Sequence, residues 1–163
     1  MMKAVSDDLR INELDLTRAG IISVQQSALD EQNWQAEFEA GEVTYKVQGY
    51  APRGRPFGVD ADILLGLQTL FFRAGCPDSN RIRVMPLTLI HLAGMRRSGP
   101  QYVRMREALM RLSVVRWEMR SMRGRQGQTV TTGLISDLRL DDHAGLAEGS
   151  AVGLTEDGAI DVV

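Results

Sequence analysis

Between residues 81 and 125 the chain carries eleven arginines, no lysine and only two acids, Glu107 and Glu118, a local net charge of +9. The flanks have the opposite sign: residues 1–50 sum to −5, residues 126–163 to −6 and residues 51–80 to zero, so the whole chain stands at −2. The overall charge therefore conceals a concentrated positive field. Arginine presents a planar, permanently charged fork that pairs with phosphate oxygens and with guanine edges in bidentate fashion. The residue type and density point to recognition of a polyanion. The competing reading is that these arginines pair with the acids of the two flanks.

Other chemistry has little to work with. His91, His143 and the single cysteine, Cys76, are too scattered to form a ligand set, so no metal is expected. The pair Asp60 and Asp62 reads as a helix cap, and Asp141 with Asp142 as part of a solvated loop. No Ser-His-Asp spacing or phosphate loop is present. In Gly54-Arg55-Pro56 the proline removes an amide donor. Neither enzymatic activity nor a cofactor is expected. One cysteine forbids an internal disulfide, which makes a reducing cytoplasm the expected location, nucleoid-associated if the polyanion is DNA. No run approaches the roughly 18 apolar residues that cross a bilayer, and the start of the chain, Met1-Met2-Lys3-Ala4-Val5, lacks a secretory apolar stretch, so no membrane partner is expected.

The elements that must carry the arginines follow from periodicity. With 163 residues, 44% of them hydrophobic and only 6% aromatic, the chain suits one domain with an aliphatic core. Residues 1–41 are polar and acidic and read as an N-terminal arm, with a short helix over 27–38. The alternation Val43, Tyr45, Val47 predicts a strand over 42–50. A loop rich in Gly and Pro follows, and then a helix over 61–73, capped by Asp60, with Ile63, Leu64, Leu67, Leu70 and Phe71 on its buried stripe. Arg81-Ile82-Arg83-Val84 reads as a short strand, and Pro86 opens a second helix that ends at Gly94. The third helix runs over 98–112. At 100° per residue, Tyr102, Met105, Leu109 and Leu112 face inward, while Arg104 and Arg111 face away. Arg96 and Arg97 sit in the turn before it. Val115, Trp117 and Met119 alternate with Arg116, Glu118 and Arg120, and a glycine-containing tip follows, so residues 115–140 read as a β-hairpin. Tyr102, Trp117 and the methionines belong to the core rather than to a base-stacking surface. Residues 141–159 read as an acidic loop, and 159–163 as a terminal strand beginning a further domain.

This order of helix, strand, helix, short turn, helix and hairpin is that of an α+β winged helix-turn-helix: a three-helix core with a C-terminal hairpin wing and an acidic N-terminal extension. The domain spans 42–140. Arg96, Arg97, Ser98, Gln101, Arg104 and Arg111 fall on the turn and the third helix. Arg120, Arg123 and Arg125 fall on the wing. Together these nine residues are the expected DNA-binding set. Loose amides at the start of the third helix add an anion site.

Two stretches resemble the plasmid replication initiator protein A family. One is Gly54-Arg55-Pro56-Phe57-Gly58-Val59-Asp60-Ala61-Asp62-Ile63-Leu64, at the opening of the first helix. The other is Gly99-Pro100-Gln101-Tyr102-Val103-Arg104-Met105-Arg106-Glu107-Ala108-Leu109-Met110-Arg111-Leu112. The resemblance covers roughly residues 42–140. It implies tandem winged-helix domains that bind repeated origin sequences in double-stranded DNA, with this chain long enough for the first. It also implies a homodimer, to which the strand over 42–50 contributes, and contact with host replication proteins. A transcriptional regulator of the same fold, or a dimerisation module without DNA binding of its own, shares the local features.

Overall fold

The computed structural model describes residues 20–23, 30–143, 153–154 and 160–163. Most of the expected acidic arm, and most of the acidic loop before the last strand, lie outside the described residues. In chain order the elements are β1 (Asn33–Ala40), β2 (Val43–Tyr50), α1 (Val59–Arg73), β3 (Ile82–Val84), α2 (Pro86–Leu92), α3 (Gly99–Val114), β4 (Arg116–Arg123), β5 (Gln126–Gly133), β6 (Leu138–Leu140), β7 (Asp142–His143), β8 (Gly153–Leu154) and β9 (Ile160–Val162). Among the described residues the fold is mixed: three helices with antiparallel sheets.

The helices sit where the apolar spacing places them, and their inward faces make one core. Met105, Leu109 and Leu112 of α3 pack with Ile63 and Leu67 of α1, Leu89 and Ile90 of α2, and the inward residues Ile82, Val84, Ile160 and Val162 of the short strands. Tyr102 is buried with them, as expected. Each fully buried aliphatic side chain contributes roughly 1.5–3 kcal/mol, which holds α3 on the body. β8 also lies against α3, and beyond Gly99 and Pro100 only Arg104 of the helix is exposed.

Three parts of the chain depart from the sequence reading. First, residues 33–40 are not helical. They form β1, which pairs with β2 from Asn33 opposite Tyr50 to Ala40 opposite Val43. Trp34, Ala36 and Phe38 alternate with Gln35, Glu37 and Glu39, a period of two that the surrounding acids obscure. Second, the arginine hairpin is not a free wing. β4 pairs with β2, giving the four-stranded order β1-β2-β4-β5. Third, the terminal run, expected to open a further domain, is paired on both sides within this body. The second sheet has the order β3-β9-β6, so β9 is its central strand. The Val163 carbonyl accepts from the Ser136 and Asp137 amides.

The inner face of the four-stranded sheet carries a second core of Trp34, Val47, Trp117 and Val115, with Ile21 and Ala51. Phe38 stacks on its cross-strand partner Tyr45 at 4.9 Å. Gly49 lies opposite Trp34, and a Cβ there would stand 2.0 Å from the indole ring. The ring thus occupies the space where a side chain would be. Gly49→Ala is expected to displace Trp34 and destabilise the domain by about 1–3 kcal/mol, read as a lowered urea midpoint. An unchanged midpoint would show that the indole shifts without cost.

Candidate nucleic-acid interface

The turn between α2 and α3 is built by helix termination. Ala93 caps α2, and the Gly94 and Met95 amides donate back to the His91 and Ile90 carbonyls. Arg96 and Arg97 then project from an exposed stretch, and Ser98, in extended conformation, precedes the first turn of α3. Pro100 occupies an early helical position that needs no donor. The Gln101 and Tyr102 amides already donate to the Ser98 carbonyl. Of the loose amides expected here, Gly99 retains its own, and no heavy atom lies within 4 Å of where its Cβ would be. Within α3, Gln101 and Arg104 share one face by the helical period, Arg104 exposed and Gln101 half-buried, and the exposed Arg97 stands just before the helix.

Arg111, seven residues after Arg104 and so on the same side of α3, turns its guanidinium inward instead. Its guanidinium holds Asp60 in a bidentate pair, with Nε to Oδ2 and Nη2 to Oδ1 both 2.8 Å. The Asp60 side chain is fully buried, and that of Arg111 is 14% exposed. The hydrogen bond to Asp60 raises the Arg111 pKa above its ordinary value, while burial pulls the other way. The group therefore stays cationic, and its charge is spent inside the protein. Asp60 does not cap the first turn in the expected manner either. It lies inside α1, accepts from the Phe57 amide, and donates its own amide to the Phe57 carbonyl. This reciprocal bond fixes the loop before α1, and the Arg111 guanidinium lies 5.8 Å from the centre of the Phe57 ring. The sequence reading missed the pair because Asp60 and Arg111 are far apart in sequence, and each has a sufficient local explanation.

Several other arginines of the basic segment also have carboxylate partners. Arg106 bonds Glu107, which also meets Arg53 at 3.4 Å. Arg81 pairs with Asp137 and Arg83 with Asp161. Arg123, on the hairpin, bonds Glu42 at 2.8 Å, but both side chains are mostly exposed, so that pair contributes little and can be exchanged for another anion. Arg96, Arg104, Arg116, Arg120 and Arg125 are exposed and enter no salt bridge among the described residues. The expected set thus falls into two groups on different elements: the turn with α3, and the β4–β5 hairpin. The register adds Lys46 opposite Arg120 on the outer sheet face, where Glu37 balances it at 3.7 Å. Arg116 stands opposite the exposed Tyr50 on the same face.

Comparison with known proteins follows from this architecture. Two solved structures of RctB domains 2 and 3 share the fold, each with a TM-score of 0.67 at 14% and 13% identity. Each alignment covers 82% of this chain and 50% of the solved one, so the chain spans half the length of those structures. No curated protein matches. The family model described as Replication initiator protein A matches residues 11–154. The chain belongs to that family.

Breaking the buried pair from one side leaves an unpartnered charge. Asp60→Ala is expected to cost about 3–5 kcal/mol in stability. The double variant Asp60→Ala/Arg111→Met is expected to recover most of that loss, as read in denaturant midpoints. Equal losses in the single and double variants would show that the pair is not the source of the effect.

Proposed function

We propose that this chain is the DNA-contacting module of a replication initiator, binding repeated double-stranded origin sequences through the α2–α3 turn and the exposed N-terminal end of α3. The observation that carries this reading is the trio Arg96, Arg97 and Arg104, set outward beside Ser98, Gln101 and the Gly99 amide at the start of a helix whose other face is locked into the core. Family membership supports initiation as the process served. The strand order β3-β9-β6, the first, last and middle strands around three helices, supports a winged-helix reading. In that reading the paired strands β7 and β8 belong to the wing, and the β4–β5 hairpin is an insertion after α3. Arg120, Arg123 and Arg125 then act as auxiliary phosphate contacts on a second surface, with Arg111 assigned to the interior. The replicon is a plasmid or other secondary replicon, the location is the cytoplasmic nucleoid, and host replication proteins are partners. The protein is a homodimer and not an enzyme.

Binding titrations on origin-repeat and random duplexes at two salt concentrations test this. Arg104→Ala is expected to weaken binding to the repeats by about 1–3 kcal/mol. Arg123→Ala is expected to weaken all duplexes alike and to reduce the salt slope by about one. Unchanged affinity in Arg104→Ala at both salt concentrations removes α3 from the interface.

A further inference from the structure

We propose that β5 is the dimer strand: two copies pair antiparallel along their β5 edges, about a two-fold axis through Val130, and make one continuous eight-stranded sheet. The inference rests on the homodimer reading and gives it a surface. β5 ends the sheet and is exposed from Gln126 to Thr131. Its sequence, Gln126-Gly127-Gln128-Thr129-Val130-Thr131-Thr132-Gly133, holds no charge and no proline, the devices that usually guard an open strand edge. It is tightly turned onto β4 by Gly124 and Arg125, with Gly124 at φ +59, so its full length is presented.

The two edges of the sheet differ in a way that selects the partner. On β1, Glu37 and Glu39 lie on one face with Glu42 in the following turn, so self-pairing there opposes like charges. On β5, antiparallel pairing centred on Val130 sets Thr129 opposite Thr131 of the second copy and Gln128 opposite Thr132, all uncharged and able to hydrogen-bond. It also aligns signs across the sheet. Thr129 is registered with Arg120, and Thr131 with Glu118. The Arg120 row of one copy thus continues into the Glu118 row of the other.

The inward face gives the pairing something to bury. Val130 and Phe72 are 47% and 46% exposed, large for apolar side chains. Both line an open groove of about 540 Å³, together with Leu64, Phe71, Trp117 and Met119. Extending the sheet past β5 brings Val130 of the second copy to the rim of that groove. An apolar patch beside an unguarded edge is the arrangement of an interface.

A charge exchange tests this without touching the arginine face of α3. Thr129 and Thr131 are exposed, so Thr129→Lys/Thr131→Lys and Thr129→Glu/Thr131→Glu are expected to stay folded with a cooperative melt, at a temperature lowered by loss of the dimer and by the like charges of Arg120 and Glu118 across the strand. By sedimentation the parent chain is expected to be a dimer and each variant alone a monomer. An equimolar mixture of the two variants is expected to restore the dimer, because every Lys then faces a Glu. Variants that stay dimeric overturn the β5 assignment and leave the homodimer reading standing. A monomeric parent overturns both. Open-ended association of the parent overturns the two-fold arrangement, since pairing of β5 with β1 never closes. The DNA reading fails separately, on the Arg104→Ala titration.

Discussion

The bond between Asp60 and Arg111 is the constraint on which the helical layer depends. A carboxylate with no solvent contact is tolerable only because two guanidinium nitrogens and the Phe57 amide satisfy its oxygens. Those three donors come from α3 and from the loop before α1. One anion therefore fixes where α1 begins, how the 51–58 loop turns and how α3 rotates about its axis. That rotation decides which residues of α3 look outward. Arg111 lies on the same side of α3 as Arg104, two turns further on, so the side that meets Asp60 late in the helix stands in solvent at Arg104, close to the turn that carries Arg96.

The basic segment is thus divided by function. Arg111 orders the interior, while Arg81, Arg83 and Arg106 are neutralised by carboxylates close at hand. The exposed remainder gathers on the turn with α3 and on the β4–β5 hairpin. Some arginines pair with acids, including acids of the flanks, while Arg96, Arg104, Arg116, Arg120 and Arg125 are exposed and enter no salt bridge among the described residues. A patch built from the remainder is smaller than a charge of +9 suggests, and more local.

Much of the helical core was legible because it rests on local periodicity. The stripes through Ile63, Leu67 and Leu70, and through Tyr102, Met105, Leu109 and Leu112, report burial directly. The β4–β5 hairpin was legible for the same reason, since alternation about a short glycine turn is a nearby signal. Apart from β1, whose partner β2 is adjacent in the chain, the failures concern partners distant in sequence. β1 was hidden because its outward residues are acids that resemble a solvated arm. Asp60 and Arg111 each had a sufficient neighbourhood explanation. The pairing of β4 with β2, and of β9 with β3 and β6, is a choice among strands that alternation cannot make. Arg96, Arg97 and Arg104 are exposed, as the spacing predicts, whereas the same spacing turns Arg111 outward and the structure draws it in.

The position of β9 has a kinetic consequence. β3 and β6 do not bond to each other; each bonds to β9, which closes the small sheet from the far end of the residues described. Until that segment arrives, Ile82 and Val84 have helices on one side and no strand on the other. Joining them to Ile160 and Val162 requires closure of a very long loop, an entropic cost that slows assembly. The helical trio is local and can condense early, leaving a sticky, half-finished sheet as the species most exposed to aggregation and to chaperones.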